Sequence, residues 1–266
     1  MKIAWIDTPA LKASAALHAA AVVGAVAVPA SWPWALGAVM ANHAVLTVAG
    51  LLPRSNLLGP NLTRLPDAAI ARREVALTID DGPDPAVTPR VLDLLDAAGV
   101  KASFFCIGCR ARASPVLCRD IVRRGHRVEN HGDAHSIAFS LWGPARMRAD
   151  IEAAQATLAD ITGQAPAFFR ATAGLRNPFL DPVLRELDLQ LASWTRRAFD
   201  TVRCDAPRMV QRLTRGLAPG DILLLHDGNA ARGAEGQAVI LVALPALLAR
   251  VTSANVRPVT LKDAQT

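Results

Sequence analysis

The sequence VALTIDDGPDPAVTP, from Val75 to Pro89, ends an apolar run with two adjacent carboxylates. The run VALTI is short, rich in β-branched and apolar residues and followed by turn residues, which predicts a buried strand. Neighbouring side chains of a strand point to opposite faces, so Asp80 and Asp81 can serve one site only if the chain turns between them. Gly82 and Pro83 are residues that supply such a turn. The stretch therefore predicts a pair of acids at the carboxyl end of a buried strand.

A simpler interpretation of the same stretch is an Asp-rich loop in front of a helix. In that interpretation Thr88 is the N-cap of the helix and Pro89 occupies its first position. The stretch alone does not decide between a functional site and a loop, because short motifs also occur by chance. The pattern of the remaining chain is needed to decide.

From Glu74 onward, strand-like runs alternate with runs that have apolar residues at helical spacing. The strand-like runs are EVALTID, KASFFCIG, HRVENH, AFFRA, LQLASW, GDILLLHD and NVRPVTL. Helical runs include TPRVLDLLDAAG, GPARMRADIEAAQATLADITG and AVILVALPALLARV. Such alternation predicts an α/β fold with parallel strands and crossover helices, either a barrel or a doubly wound sheet. In both architectures the site lies at the carboxyl ends of the strands.

Other chemically active side chains follow the strand-like runs in the same way as the two acids. They are His131 with His135, Arg170 with Gly174, and His226 with Asp227. The spacing of the first pair lets two imidazoles reach one metal ion. Each of these residues alone is a weak signal, but their repetition at successive strand ends indicates one shared site.

One aspartate and two histidines suit a divalent cation and leave positions open for water and a substrate oxygen. An open metal site supplies Lewis acidity and activated water. A second carboxylate beside it can accept a proton, and a histidine on the other side can donate one to a leaving amine. The pattern therefore predicts metal-assisted hydrolysis.

The motif TIDDGP resembles the first motif of the NodB-type polysaccharide deacetylases, carbohydrate esterase family 4, and the order of the later motifs agrees over about residues 75 to 261. The resemblance implies a distorted (β/α) barrel of about seven strands. It also implies an N-acylated amino-sugar substrate and one divalent metal ion. Zinc is the expected ion, with cobalt, manganese and nickel as alternatives, since such sites accept all four.

The matching motifs imply roles for individual residues. Metal binding is expected from Asp81, His131 and His135. The catalytic group comprises Asp80 as base, Arg170 as the residue that orients it, His226 as general acid, and Asp200 as the remaining acid of the fourth motif. Substrate binding is expected from the backbone near Ala173 and Gly174 and from Trp194, Arg197 and Leu224.

Three positions depart from the family pattern. Gly132 replaces the hydroxyl residue of the second motif, and Thr172 replaces the proline of the third. Arg197 stands where the fourth motif has its first acid, which puts the usual network around Arg170 in doubt. We expect Arg197, or the neighbouring Arg196, to bind a phosphate on the substrate, because a guanidinium binds phosphate in a bidentate manner. The alternative is a solvated arginine.

The N-terminal part has the composition of a membrane hairpin. No charged residue occurs between Lys12 and Arg54, and PASWPW divides this stretch into apolar segments at 13–28 and 34–52. Each segment approaches the ~20 residues that cross a bilayer core. Tryptophans at the expected interfaces are Trp5, Trp32 and Trp34. We therefore expect a membrane-associated hairpin with a linker in residues 1–66 and the deacetylase domain in residues 67–266.

Charges on both flanks of the pair predict its orientation. Lys2 and Lys12 precede the segments, whereas Arg54, Arg64, Arg72 and Arg73 follow them. The positive-inside bias then places both flanks, and the catalytic domain, on the cytoplasmic side of the inner membrane. Alternatives are a cleaved signal peptide in the first segment, a single spanning segment that would export the domain, and a soluble Ala-rich hairpin.

Charge and cysteine content limit the partners. The formal net charge of +6 does not indicate nucleic-acid binding, because the arginines are scattered and few aromatic residues lie among them. The four cysteines, Cys106, Cys109, Cys118 and Cys204, fit a reducing compartment better than a disulfide scaffold. Cys106 ends a strand-like run and is expected to be a buried small hydrophobe rather than a zinc or redox ligand.

These observations favour a membrane-anchored, metal-dependent N-deacetylase or deformylase of an amino-sugar glycoconjugate. A cytoplasmic site would meet a polyprenyl-phosphate-linked sugar, and the apolar Leu141 and Trp142 after the histidines are expected either at the membrane surface or packed on the barrel. An alternative is an extracytoplasmic N-deacetylase of peptidoglycan or a chitin-like polysaccharide. Two further alternatives are a sugar-binding pseudoenzyme and a hydrolase of a non-sugar amide.

Overall fold

The fold was analysed in a computed structural model, which describes residues 8–266; Lys2 and Trp5 lie outside the described residues. Eight short strands form one sheet. They are β1 (Glu74–Gly82), β2 (Ser103–Cys106), β3 (Arg127–Asn130), β4 (Phe168–Phe169), β5 (Gln190–Leu191), β6 (Arg196–Arg197), β7 (Ile222–His226) and β8 (Arg257–Val259).

All pairings in the sheet are parallel, in the order β5-β4-β3-β2-β1-β7-β6, with β8 paired to the start of β1. This confirms the predicted distorted (β/α) barrel with a seven-stranded path. Strand β6 was not predicted, because its two arginines form no apolar run and its strand conformation comes from pairing with Leu223 and Leu224 of β7. Strands β4 and β5 are shorter than predicted, since only two residues of each pair with a neighbour.

Ten helices accompany the strands in the described chain. They are α1 (Pro9–Ala27), α2 (Trp32–Leu51), α3 (Asp67–Ala71), α4 (Thr88–Ala97), α5 (Gly108–Ala113), α6 (Pro115–Arg123), α7 (Pro144–Thr162), α8 (Leu180–Glu186), α9 (Ala206–Thr214) and α10 (Val239–Ser253). Short 3₁₀ turns occupy Pro29–Ser31, Phe139–Leu141, Thr172–Gly174 and Asp263–Gln265.

Side-chain alternation along β1 determines what faces the barrel interior. Leu77 and Ile79 belong to the large core cluster that packs against the surrounding helices. Ala76 belongs to the inner cluster, with Phe105 and Leu224. Because strand side chains alternate with period two, Asp80 continues the inward-facing set and ends inside the mouth of the barrel.

The linker after α2 fills the gap between the two ends of the sheet. The N–H of Leu62 donates to the carbonyl of Leu191, and the N–H of Ser193 donates back to Leu62. The N–H of Leu65 donates to the carbonyl of Gly220, which precedes β7. The linker therefore satisfies backbone groups that an open sheet edge would expose.

Helices α1 and α2 form an antiparallel hairpin and are long and apolar enough to cross a membrane, by length and composition. Polar contacts join them near their midpoints: Asn42 donates to the Ser14 hydroxyl over 2.8 Å, and Nε2 of His18 lies 3.2 Å from Nε2 of His43. Polar side chains that pair across helices in this way fix the alignment of helices in an apolar surrounding.

The base of the hairpin packs on the catalytic domain. Residues 8–10 at the start of α1 line one surface pocket together with linker residues and Gln190 of β5. At the end of α2, the carbonyl of Gly50 accepts a 3.0 Å hydrogen bond from the N–H of Arg176. Both open ends of the hairpin therefore meet the domain, while the Pro29–Ser31 turn lies at the opposite end.

The core contains two of the four cysteines. Cys106 and Cys118 are buried together in the large core cluster, and all four cysteines are free thiols.

Helix α4 begins at Thr88, but the Thr88 hydroxyl does not cap it and instead donates to Asp227 over 2.5 Å. The simpler interpretation of the stretch as a capped loop therefore does not describe how Thr88 is used.

Candidate active site

Asp80 and Asp81 are both buried, and the chain turns between them. Asp81 has a φ of +73°, a left-handed conformation that aspartate tolerates better than most residues. The turn lets the Asp80 side chain face the barrel interior while the Asp81 carboxylate faces the loop after β3. This is the arrangement that the adjacent acids require if they are to serve one site.

Asp81 meets two histidines. Its Oδ1 lies 3.1 Å from Nε2 of His131 and 2.9 Å from Nε2 of His135, and candidate ligand atoms of the three residues all lie within 4.8 Å of one another. One carboxylate oxygen and two imidazole nitrogens converging on one point match a metal site with three protein ligands and an open position. The residues present therefore fit a divalent cation.

Outer hydrogen bonds orient these groups. Nδ1 of His131 lies 2.7 Å from the carbonyl of Arg170, which can only accept, so Nδ1 carries a proton and Nε2 is the nitrogen that faces Asp81. Asn229 donates to Oδ2 of Asp81 over 3.0 Å. Burial raises the pKa of Asp81, but the two histidines outweigh burial and hold that pKa well below its usual range.

Asp80 is held by Arg170, whose guanidinium is almost completely buried. Nη1 of Arg170 donates to Oδ1 of Asp80 over 2.6 Å and to the Thr78 hydroxyl over 2.9 Å. Its other donors reach the carbonyls of Ala192 and Ser193. Each of the three guanidinium nitrogens thus has a partner without an acid at position 197, so the departure at that position leaves Arg170 and Asp80 paired.

His226 is held on the other side of the cleft by Asp200, which is fully buried. Nδ1 of His226 lies 2.8 Å from Oδ1 of Asp200, and the backbone N–H of His226 donates to Oδ2. Burial lowers the pKa of His226, but the charge and hydrogen bond of Asp200 outweigh burial and raise it above the usual value. The geometry favours a protonated imidazole.

These residues surround a cleft of about 240 Å³. Among the residues predicted from the sequence, those that line it are Asp80, Asp81, His131, His135, Ala173, Gly174, Trp194, Arg197, Leu224 and His226. Arg170 and Asp200 do not line the cleft and lie behind the side chains that they hold. The structure therefore brings all twelve predicted residues together, whereas the roles assigned to them stay predictions.

One wall of the cleft is the loop that follows β4. Ala173 and Gly174 both have positive φ, and a Cβ at position 174 would lie 2.6 Å from the Trp194 ring and 2.7 Å from Pro53. Glycine at this position is therefore required by the close approach of the linker. Thr172 forms the turn in place of the family's proline.

The two arginines of β6 have different surroundings. Arg196 pairs with Asp221 over 2.5 Å and donates to the carbonyls of Arg215 and Gly216, and it does not line the cleft. Arg197 lines the cleft, with its guanidinium carbon 5.5 Å from the Trp194 ring and 5.1 Å from the Phe199 ring. Of the two residues predicted to meet a phosphate, only Arg197 faces the site.

The loop after the histidines divides the predicted apolar pair. Trp142 is buried against Phe139 and stacks under Arg146, whereas Leu141 is 84% exposed. Ile137, at the mouth of the cleft, is 91% exposed. Trp142 therefore packs on the barrel, as one of the two expectations has it, whereas Leu141 faces outward and its position at a membrane surface stays a prediction.

Several residues of the site were missed by sequence reasoning. Asn229 and Arg110 support Asp81, since Arg110 donates to the Asp81 carbonyl and to the Asn229 side chain. Thr78 supports Arg170 from the strand that carries Asp80. Asn229 follows His226 by three residues at the same strand end, so the argument that identified His226 could also have identified Asn229. Arg110 lies in a helix and gave no signal of that kind.

Known proteins are similar to this chain in sequence and in fold. The family Polysaccharide deacetylase matches residues 68–192. The chain is 32% identical to a peptidoglycan-N-acetylglucosamine deacetylase of Bacillus cereus over 157 residues, which cover 58% of this chain and 73% of that protein. It is 35% identical to a chitooligosaccharide deacetylase of Bradyrhizobium over 157 residues, covering 59% and 71%.

A solved structure of the Bc1960 peptidoglycan N-acetylglucosamine deacetylase superposes with a TM-score of 0.70 at 28% identity, covering 77% of this chain and 93% of that one. The barrel, the order of motifs and the sequence identity to curated relatives agree with one another. The chain belongs to the polysaccharide deacetylase family, the NodB-type carbohydrate esterases of family 4.

Proposed function

We propose that the protein is a metal-dependent N-deacylase of an amino-sugar glycoconjugate. The observation that carries the proposal is the convergence of three potential ligands, Asp81, His131 and His135, between the Arg170-held Asp80 and the Asp200-held His226. The substrates in the names of the relatives, peptidoglycan N-acetylglucosamine and chitooligosaccharides, support an N-acetylated amino sugar as the substrate class.

The two held side chains would move the protons of amide hydrolysis. Arg170 keeps the Asp80 carboxylate in one orientation, in which it accepts a proton from the attacking water. His226, with its raised pKa, donates a proton to the leaving amine. When bound at the three ligands, a divalent cation, for which zinc is our first assignment, supplies Lewis acidity and activates water.

The walls of the cleft would position the sugar and its acyl group. Leu224 and Trp194 are buried apolar residues that line the cleft and provide a surface for a small acyl group. Ala173 and Gly174 lie on the same wall; the N–H of Gly174 donates to the carbonyl of Ala171, and the N–H of Ala173 would bind the substrate oxygen on which negative charge develops.

We assign residues 1–66 to a membrane hairpin with its linker and residues 67–266 to the catalytic domain. The base of the hairpin lies beside the cleft: the Ser193 hydroxyl donates to the carbonyl of Pro53, and Pro53 packs at Gly174 on the cleft wall. With 19 residues, α1 spans about 28 Å, close to the ~30 Å of a bilayer core. A site so near the membrane surface favours a lipid-linked substrate.

Exposed apolar side chains at the mouth support the same arrangement. Asn177 donates to the carbonyls of Ser140 and Trp142, so the loop that bears exposed Leu141 is fastened to the residue after Arg176. Arg176 in turn bonds to Gly50 at the end of α2. A continuous chain of contacts thus runs from the hairpin base to the loop that bears Leu141, as expected of a face turned toward the bilayer.

The basic flanks of the hairpin support a catalytic domain on the cytoplasmic face, where a polyprenyl-phosphate-linked N-acyl sugar is the substrate that the site would meet. A second candidate is an extracytoplasmic deacetylase of peptidoglycan or a chitin-like polysaccharide, favoured by the names of the relatives. A reporter fused after Thr266 separates the two locations, because alkaline phosphatase is active only outside the cytoplasm.

The substrate test uses detergent-purified full-length protein. It offers a polyprenyl-phosphate N-acyl sugar and a chitooligosaccharide, and it measures released acetate or formate. Our proposal predicts release from the lipid-linked sugar. Release from the oligosaccharide alone would support the second candidate, and an alkaline phosphatase fusion with full activity would exclude the cytoplasmic location.

A further inference from the structure

Arg197 has hydrogen-bond donors that the described chain does not use. Its buried Nε atom has no hydrogen-bond partner, and its guanidinium forms no ion pair with a described residue. Neighbouring arginines differ in this respect: Arg170 and Arg196 each pair with a buried aspartate. Buried donors without a partner are rare in folded proteins and ask for an explanation.

The position of Arg197 is fixed by its surroundings. Its guanidinium lies between the rings of Trp194 and Phe199, a placement in which cation–π attraction restrains the side chain without consuming its donors. Phe199 has a φ of +61°, a strained conformation for a bulky residue. This conformation presents the ring to Arg197 while Asp200, the next residue, holds His226.

The free donors belong to the same cleft as the catalytic residues. Arg197 lines it together with Asp80, Asp81 and His226, yet it pairs with neither carboxylate. The described chain supplies no acceptor for these donors, so they are available to a molecule bound in the cleft. A guanidinium prefers planar or tetrahedral oxyanions, which it binds through two parallel hydrogen bonds.

We propose that Arg197 forms an anion subsite that binds a phosphate carried by the amino-sugar substrate next to the amide that is cleaved. The proposal rests on the proposed function, and it deepens it by naming a phosphorylated substrate. Phosphate is preferred to a carboxylate because the hairpin base packs on the wall of the same cleft, so a sugar joined to a membrane lipid by a phosphodiester would present that group at this position.

The test compares a short-chain alkyl phosphodiester of N-acetylglucosamine, the matched uncharged alkyl glycoside and a matched glycoside that bears a carboxylate. Full-length protein in detergent is assayed for acetate release, and kcat/KM is measured for each compound. The wild-type protein should prefer the phosphodiester to the uncharged glycoside by about tenfold or more, the range of a charge-assisted hydrogen bond.

Arg197→Met should abolish this preference, mainly through KM, whereas Arg197→Lys should retain part of it. The matched control is Arg203→Met, which removes the same charge from an exposed position outside the cleft, in the loop that follows β6, and should keep the full preference. Calorimetric binding of the phosphodiester to chelator-treated protein should weaken about tenfold in Arg197→Met and stay unchanged in Arg203→Met.

Three outcomes overturn the proposal. If the wild-type protein cleaves the uncharged glycoside with the same kcat/KM as the phosphodiester, it has no anion subsite, although its deacylase function stands. A phosphodiester preference that survives Arg197→Met places the subsite elsewhere. An Arg197-dependent preference for the carboxylate compound assigns a different anion. Failure to cleave any of the compounds would instead contradict the proposed function.

Discussion

Nη1 of Arg170 lies 2.6 Å from Oδ1 of Asp80, although 90 positions separate the two residues in the chain. The two adjacent acids are thus divided between different partners: the Arg170 guanidinium holds Asp80, while Asp81 faces two histidines. Each of the two neighbouring carboxylates therefore has its own partner inside the same small volume.

The first prediction follows from this division. Asp80→Asn keeps the shape of the side chain and an acceptor for Arg170 but removes the base, so kcat should fall at least about 10²-fold. Zinc affinity should change only a few-fold, because Asp81 and both histidines are retained. The control is Asp93→Asn, which removes an exposed carboxylate from a surface ion pair and should keep full activity. Full activity in Asp80→Asn would remove Asp80 from the catalytic group.

The second prediction concerns pH. A general acid must be protonated, so activity is lost as the pH rises through the pKa of His226, which Asp200 raises. Asp200→Asn removes the negative charge and should lower that pKa. The alkaline limb of the kcat/KM profile should therefore move to lower pH. An alkaline limb at the wild-type pH in the variant would show that another group limits activity there.

The third prediction concerns the metal. Calorimetric titration of chelator-treated protein with zinc should give one site per chain, and loss of a ligand in His135→Ala or His131→Ala should weaken binding by about 10²-fold or more. The matched control is Cys109→Ser, which removes an exposed thiol outside the cluster and should bind zinc like the wild type. Unchanged affinity in either histidine variant would contradict the assignment of the ligands.

The fourth prediction concerns the hairpin. Because Asn42 donates to Ser14 over 2.8 Å, cysteines introduced together at these positions should form a disulfide on mild oxidation of the full-length protein. The control pairs Ser14→Cys with Val45→Cys, a position whose side chain is largely exposed in the structure. Equal cross-linking in the two variants, or none in the first, would show that α1 and α2 do not pack as described.

Much of the fold could be predicted, because it depends on sequence patterns that are visible within short stretches of the chain. The apolar run before Asp80 and the helical spacing around Leu95 and Leu158 gave the alternation of strands and helices, and parallel topology then placed the polar strand ends at one rim. Strand β6 was not predictable in this way, because Arg196 and Arg197 become strand residues only by pairing with β7.

The same distinction applies to the site. Residues at strand ends could be found from the sequence, since their positions follow from the topology. The partners of those residues could not: Thr78 and the carbonyl of Ala192 meet Arg170 only after the barrel has formed. The approach of Pro53 to Gly174, which joins the hairpin to the cleft, likewise depends on tertiary packing.

The central claim is that this cleft hydrolyses the N-acyl amide of an amino sugar with the help of a divalent metal. It is tested most directly by the acetate or formate released from an N-acylated amino-sugar substrate by full-length protein that has been stripped with a chelator and then reloaded with zinc. The account predicts release that disappears on stripping, returns on reloading and is absent in Asp80→Asn. Release of equal size from the stripped protein or from Asp80→Asn would contradict it.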